Sequence, residues 1–307
     1  MSIISADSLS KWYGEVIGLN QFTVDINKGI TGIVGPNGAG KTTLFRIVTG
    51  MIRQDKGTIE VLGEKPWNNP SLNAKIGYCP EHEMLYPWMS AKEFLTSMAK
   101  MHGYGHNESE KKAYKSLETV GLNSRDMERK IKGYSKGMRQ KVKVAQSIIH
   151  DPELLILDEP LAGTDPVGRK TIIELIRELA NGGIHAIVSS HVLYEIEKLT
   201  EQVVLINAGQ TLATGNIHEI RKLIDRHPHM VNLTTDNARK LGKELMEEES
   251  VVSARIIDEQ HLSIKTREPD AFYQLLPEII VKGKHEVNEI FSPDDNLQAV
   301  FKYLVKK

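Results

Sequence analysis

The chain has 307 residues, enough for two domains of ordinary size. Its 39 Lys and Arg stand against 40 Asp and Glu, so there is none of the basic excess that sequence-independent binding to nucleic acid requires. The single cysteine, Cys79, excludes an internal disulfide and suits a reducing compartment.

The opening "MSIISADSLSKWYG" lacks the basic start and apolar run of an export signal. No window reaches the roughly 18–20 apolar residues of a membrane span. A soluble, cytoplasmic chain is expected, one that reaches a membrane only through a partner. Going along the sequence, short β-rich runs "FTVDI", "ITGIVG", "LLILD", "HAIVSS" and "VVLINAG" alternate with helical patterns such as Thr42–Val48 and Thr171–Leu179. That alternation predicts a mostly parallel sheet covered on both faces. From about residue 84 to 150 the spacing is helical with little strand character, which predicts a helical insertion. After Gly215 the composition changes, and a linker helix over about 218–229 is expected. Beyond it "MVNLTT", "VVSARIID", "HLSIKTR" and "HEVNEIF" read as strands. "NARKLGKELMEEE", "DAFYQLLPEIIV" and "NLQAVFKYLVKK" read as helices. The order βαββαβ with a closing helix predicts a small ferredoxin-like α+β domain over 218–307, behind a nucleotide-binding domain over 1–217.

The most specific motif is "GIVGPNGAGKTTLF", which holds Gly35-x-x-x-x-Gly40-Lys41-Thr42 between an apolar strand and a helix, the P-loop pattern in its required context. Pro36 aside, the backbone N–H groups of Gly35, Asn37, Gly38, Ala39, Gly40 and Lys41 can wrap a phosphate chain, and the helix N-terminus adds a favourable field. Lys41 would reach the β- and γ-phosphates, and Thr42, with Thr43 beside it, would offer a hydroxyl to Mg²⁺. "LLILDEP" supplies two carboxylates at the end of a buried strand. Asp158 is expected to hold Mg²⁺, and Glu159 to orient and deprotonate the attacking water. A glycine-rich turn and an acidic turn are each common alone; together they specify an α/β P-loop NTPase. A kinase stays open on these residues, whereas a GTPase is disfavoured because Asn27-Lys28 is followed by Gly29-Ile30 and not by the Asp of a guanine-reading motif.

"GPNGAGKTT", "YSKGMRQKV", "LLILDEPLAGTDP" and "SSH" occur in that order, with the helical stretch before the second. Over about Ile3–Gly215 this combination resembles the ATPase subunit of ATP-binding cassette (ABC) transporters. The resemblance implies a P-loop cassette with a mixed sheet that takes ATP and Mg²⁺. It implies that "YSKGM" stands for the signature usually written LSGGQ. Ser135 and Gly137 would then face the γ-phosphate of an ATP held by Lys41 of a second copy. The site would be built by a homodimer or pseudo-symmetric pair. Tyr134, Lys136 and Met138 depart from the pattern, and Arg139, Lys141 and Lys143 are expected on a solvated helix face.

Other site residues follow from the same resemblance. Glu81 stands where relatives carry a glutamine that senses Mg²⁺ and water, so it is a candidate metal and catalytic residue. His191 takes the place of the histidine that contacts the γ-phosphate. Asp165, in "LAGTDP", matches the loop that crosses the dimer interface. Tyr13 matches the aromatic that stacks on adenine, with Trp12 next to it as the competitor. The family places such subunits on the cytoplasmic face of the membrane, bound to separate permease subunits. "YSKGM", "GYCPE" and the C-terminal extension are similar to the exporter branch. The alternative is a non-transport cassette acting on a ribosome or nucleic acid, which usually shows tandem cassettes, a long coiled coil or a basic arm. None is present here, and no nucleic-acid partner is expected.

Overall fold

The computed structural model describes residues 2–82, 84–224 and 229–292. The chain folds as two compact units that divide between Ile217 and His218. The first unit carries nine strands: β1 Ser2–Tyr13, β2 Val16–Asn27, β3 Ile30–Val34, β4 Lys56–Val61, β5 Ile76–Cys79, β6 Leu154–Leu157, β7 His185–Ser190, β8 Gln202–Asn207 and β9 Gln210–Asn216. They form two sheets. The larger has the order β5-β6-β7-β3-β8-β9, parallel except for β9 at one edge. The smaller, β2-β1-β4, is antiparallel throughout. The larger sheet is the mostly parallel one expected, and the antiparallel three-stranded sheet makes the core mixed, as the family resemblance implies.

The strand sequences explain these positions. β6, "LLIL", lies between β5 and β7 and has every residue fully buried, which a strand covered on both faces requires. β1 and β2 meet at the two-residue turn Gly14–Glu15, where φ is +61° at Gly14, a conformation glycine reaches without strain. One hydrophobic cluster joins Phe22 and Val24 of β2, Ile33 of β3, Ile156 of β6, and Leu44, Phe45 and Val48 of the helix Lys41–Val48. That helix therefore packs with both sheets. Its N-terminus follows β3 after the loop Gly35–Gly40.

Between β5 and β6 the described residues contain helices and no named strand: Ala91–Met101, His106–Thr119, Ser124–Glu128, a 3₁₀ turn at Ile131–Gly133, and Lys136–Ile148. Ser90 opens this region with a reciprocal capping box, its hydroxyl accepting from Glu93 N–H while Glu93 accepts from Ser90 N–H. Among the described residues no helix is long and apolar enough to cross a membrane.

Helix Ile217–Ile224 lies at the division between the units, and the second unit continues with β10 His229–Thr235, β11 Val251–Ile256, β12 His261–Thr266 and β13 Val287–Phe291. Their order, β11-β12-β10-β13, is antiparallel at each pairing. Helices Ala238–Leu245 and Pro269–Gly283 bury Leu241, Leu245, Phe272 and Leu276 in one cluster with Val231, Leu233, Leu262 and Ile264 of the sheet. This is the expected ferredoxin-like βαββαβ unit. The closing helix read from "NLQAVFKYLVKK" lies outside the described residues.

Candidate functional site

Three neighbouring parallel strands, β6, β7 and β3, end side by side, and each delivers part of one site. β3 runs into the loop Gly35–Gly40 and the helix Lys41–Val48. No side chain caps that helix and its first turn carries no acid, so its leading N–H groups stay available to an anion. Two glycines shape the loop: Gly40 has φ +108° and a Cβ there would lie 2.6 Å from Gly18 O, while Gly38 has φ +79° with open space around it. Lys41 is 6% exposed, and its Nζ donates to Gly35 O (2.7 Å) and Pro36 O (3.2 Å).

The end of β6 supplies the acids. Asp158 is fully buried; its Oδ2 accepts from Thr42 Oγ1 at 2.7 Å and its Oδ1 from Ser189 Oγ at 2.7 Å. Ser189 Oγ also accepts the Glu159 backbone N–H at 2.8 Å, so one hydroxyl of β7 fixes both acidic residues. Glu159 sits at φ +49°, an unfavourable conformation for a residue with a side chain, of the kind concentrated at functional sites. Its Oε2 is 2.9 Å from His191 Nδ1. Its Oε1 is 3.1 Å from Lys41 Nζ, an ion pair by distance, yet among the described residues this buried oxygen accepts no aligned hydrogen bond.

A cavity of about 430 Å³ opens over these groups, lined by Asn37–Thr43, Asp158 and Glu159, with Glu81 and His82 on one side and Tyr13 and Gly18 on another. Tyr13 is 40% exposed, and its ring lies where a Cβ on Gly18 would stand. Trp12 does not line the cavity; Lys56 Nζ lies over its ring at 5.5 Å. The residues present fit a triphosphate with Mg²⁺. An uncapped helix N-terminus and a buried ammonium suit the phosphates, and Thr42 Oγ1 beside Asp158 Oδ2 is the hard-oxygen pair Mg²⁺ takes.

The signature residues stand elsewhere. Ser135 is the N-cap of Lys136–Ile148, its Oγ accepting from Met138 N–H at 3.2 Å, and neither Ser135 nor Gly137 lines the cavity. Lys136 lies against Gly163, where a Cβ would meet its Nζ. Asp165 caps Pro166–Asn181 by accepting from Gly168 N–H at 2.6 Å, and it too lies off the cavity. The expectation of a solvated basic face at Arg139, Lys141 and Lys143 is corrected at Lys143. Lys143 is 3% exposed, and its Nζ donates to Glu81 O (2.8 Å) and Gln140 Oε1 (3.2 Å). Lys141 donates to Gly121 O, and Arg139 to Tyr134 O. The helix packs here on more than one side, so Lys143 turns inward, while Arg139 and Lys141 stay half-exposed, each on a carbonyl. Cys79 is fully buried, and burial raises its thiol pKa to about 11, which leaves it inert.

A family model for ABC transporters matches residues 19–162. The chain is 34% identical over 253 residues to YxlF, an uncharacterized ABC transporter ATP-binding protein of Bacillus subtilis, with 82% of each chain covered. It belongs to the ABC transporter ATP-binding proteins. The linearmycin resistance ATP-binding protein LnrL, also of B. subtilis, is 35% identical over 215 residues and 69% of each chain. A solved ATP-binding subunit of an ABC transporter superposes with a TM-score of 0.64 at 27% identity, covering 73% of this chain and 93% of that one. As a member of this family the chain is an ATP-binding protein. Three residues of the site carried no motif of their own in the sequence: Ser189, which braces both acids, Lys143, and Glu195, which is 5% exposed behind Ser190. Only the double serine before His191 hinted at the first.

Proposed function

We propose that two copies of this subunit close around two ATP molecules and that hydrolysis reopens them, driving export through separate membrane subunits. The observation that carries this reading is the separation of the signature turn from the cavity. Ser135 and Gly137 do not line the cavity in which Lys41 of the same copy would hold the phosphates, so a partner's turn is free to complete the site. ATP bridging both copies binds the closed pair better than the open one, and that difference is what shifts the equilibrium.

Within the site, Lys41 leaves Glu159 and moves onto the β- and γ-phosphates. The Glu159 carboxylate takes a proton from a water whose oxygen attacks the γ-phosphorus, and the bond to the β–γ bridging oxygen breaks. His191, already paired with Glu159, holds that carboxylate and can donate to the γ-phosphate. Thr42 and Asp158 would hold Mg²⁺, which neutralises phosphate charge, with Glu81 at the cavity rim as a further oxygen donor. The exposed rings of Tyr86 and Trp88, 5.2 Å apart, offer an apolar surface to a permease segment. The name of LnrL, linearmycin resistance, supports the exporter reading.

The test mixes two defective subunits, Lys41→Ala and Ser135→Arg. Each alone forms dimers with two broken sites, whereas a mixed dimer keeps one intact site. An equal mixture should recover roughly a quarter of wild-type ATPase activity in a symmetric two-site dimer. A mixture as inactive as either variant alone overturns the two-copy site.

A further inference from the structure

We propose that Arg169 and Glu195 form a positioning pair that couples the Asp165 loop to the strand end carrying His191. The inference rests on the catalytic reading of Glu159 and His191 given above. Glu195, in the short helix Leu193–Glu197, is 5% exposed, and a carboxylate so buried needs partners for its charge. It has two, one on each carboxylate oxygen. Its Oε2 accepts from Ser190 Oγ at 2.8 Å, and its Oε1 lies 3.2 Å from Arg169 Nε. Arg169 belongs to the first turn of Pro166–Asn181, the helix capped by Asp165, and its Nη2 reaches Thr164 O at 3.4 Å.

Ser190 is the point where this pair meets the catalytic residues. Its hydroxyl donates to Glu195 and accepts the N–H of Val192 at 2.9 Å, so a single oxygen fixes the chain on both sides of His191. Ahead of Asp165, Ala162 N–H bonds to Glu159 O (3.1 Å) and Thr164 N–H to Leu161 O (3.3 Å), a run of turns that begins at Glu159. Glu159 and His191 are therefore joined twice: directly at 2.9 Å, and by a closed path through Thr164, Arg169, Glu195 and Ser190. The Arg169 Nε–H does not point along its contact with Glu195, so charge, not an aligned hydrogen bond, holds the pair. Displacing the Asp165 loop, as an approaching second copy would, pulls on Thr164 and Arg169 and re-aims His191 through Glu195. Positioning of the histidine then depends on dimer closure, while ATP binding by Lys41 does not.

The test compares Glu195→Gln, which keeps an acceptor for Ser190 and removes the charge, with Arg169→Ala and the double variant, all in the full chain. Each single variant should lower kcat about tenfold. The affinity for a non-hydrolysable ATP analogue should stay within about twofold, and the double variant should be no worse than the weaker single one. A residue that merely stabilises the fold would lower the melting temperature without producing this split. Wild-type kcat in both singles overturns the proposal, as do losses that multiply in the double. If Glu195→Gln does not fold, Arg169→Lys decides alone, since it keeps a cation beside the buried Glu195 carboxylate and loses the planar reach to Thr164 O. Glu159→Gln is measured alongside. If it is dead while the Arg169 and Glu195 variants are normal, only the coupling fails; if it turns over normally, the catalytic reading fails instead.

Discussion

Glu159→Gln should tighten ATP binding even as it removes hydrolysis. Lys41 Nζ is 3.1 Å from Glu159 Oε1, and the two side chains are 7% and 6% exposed. Opposite unit charges at that separation attract by about 5 kcal/mol at an effective dielectric constant near 20. ATP must draw the ammonium out of this pair, and it must then place its γ-phosphate near the carboxylate left behind. Glutamine removes both the competing anion and the repulsion while keeping the shape of the side chain. Most of the gross attraction is recovered by wild-type Lys41 from the phosphates themselves. The surviving difference should be about 1.4 kcal/mol, a tenfold lower Kd. Titration calorimetry with a non-hydrolysable analogue and Mg²⁺ reads it directly. Glu159→Asp keeps the charge and should not tighten binding. Because the pair is buried, the gain should persist at high salt. Equal or weaker binding by Glu159→Gln refutes the idea that the ion pair occupies the phosphate site. Hydrolysis should fall by roughly 10²–10⁴, the usual share of a general base.

Two further outcomes follow from a buried cation and a pair of stacked imidazoles. Lys143→Met keeps the stem volume and removes the ammonium that holds Glu81 O and Gln140 Oε1. The lost charged hydrogen bonds, about 1.5–3 kcal/mol each, are largely offset by several kcal/mol of ammonium desolvation no longer incurred. Denaturant unfolding should therefore move by less than about 2 kcal/mol, while kcat falls because Glu81 loses its tether; unchanged kcat would show that the tether is irrelevant. His102 and His150 stack at 4.3 Å, and burial lowers the pKa of both below the ordinary 6.5, with Lys112 adding to the effect at His102 and the neighbouring His102 adding at His150. Below pH 6.5 the unfolded chain takes up protons that the folded one refuses. The stability from these neutral rings is thus complete above pH 6.5 and is lost as pH falls toward their lowered values. Melting temperature against pH should show this loss, and His150→Gln should reduce it; an unaltered acid slope in the variant counts against the pair.

What could be read from the sequence was what the chain keeps local. A phosphate cradle is made of consecutive N–H groups, so Gly35–Thr42 displays it in one line, and Asp158 and Glu159 are neighbours because one strand end delivers both. β6 and β7 were visible as apolar runs because strands covered on both faces need little else. β1 was not. Its pairing with β2 and β4 slips around Ala6–Leu9 and Asp7–Ser10, with Ser8 at φ +50°, so its burial pattern loses the period of two that marks a strand. β9 is a half-exposed edge strand with few large apolar residues, and it was missed for lack of them.

Lys143 shows why helical spacing failed as well. Val142, Lys143, Val144 and Ala145 are all buried in succession, so the helix has no polar face there for a lysine to mark. The contacts that organise the chemistry span 31 residues from Asp158 to Ser189, 32 from Glu159 to His191 and 62 from Glu81 to Lys143. Each joins residue types that are common in any chain. A motif records which groups meet the phosphates, because the helix and loop fix their spacing. The groups that hold the acids and the histidine in place are set by β6, β7 and β3 lying side by side. That adjacency belongs to strand order, which no local window of the sequence contains.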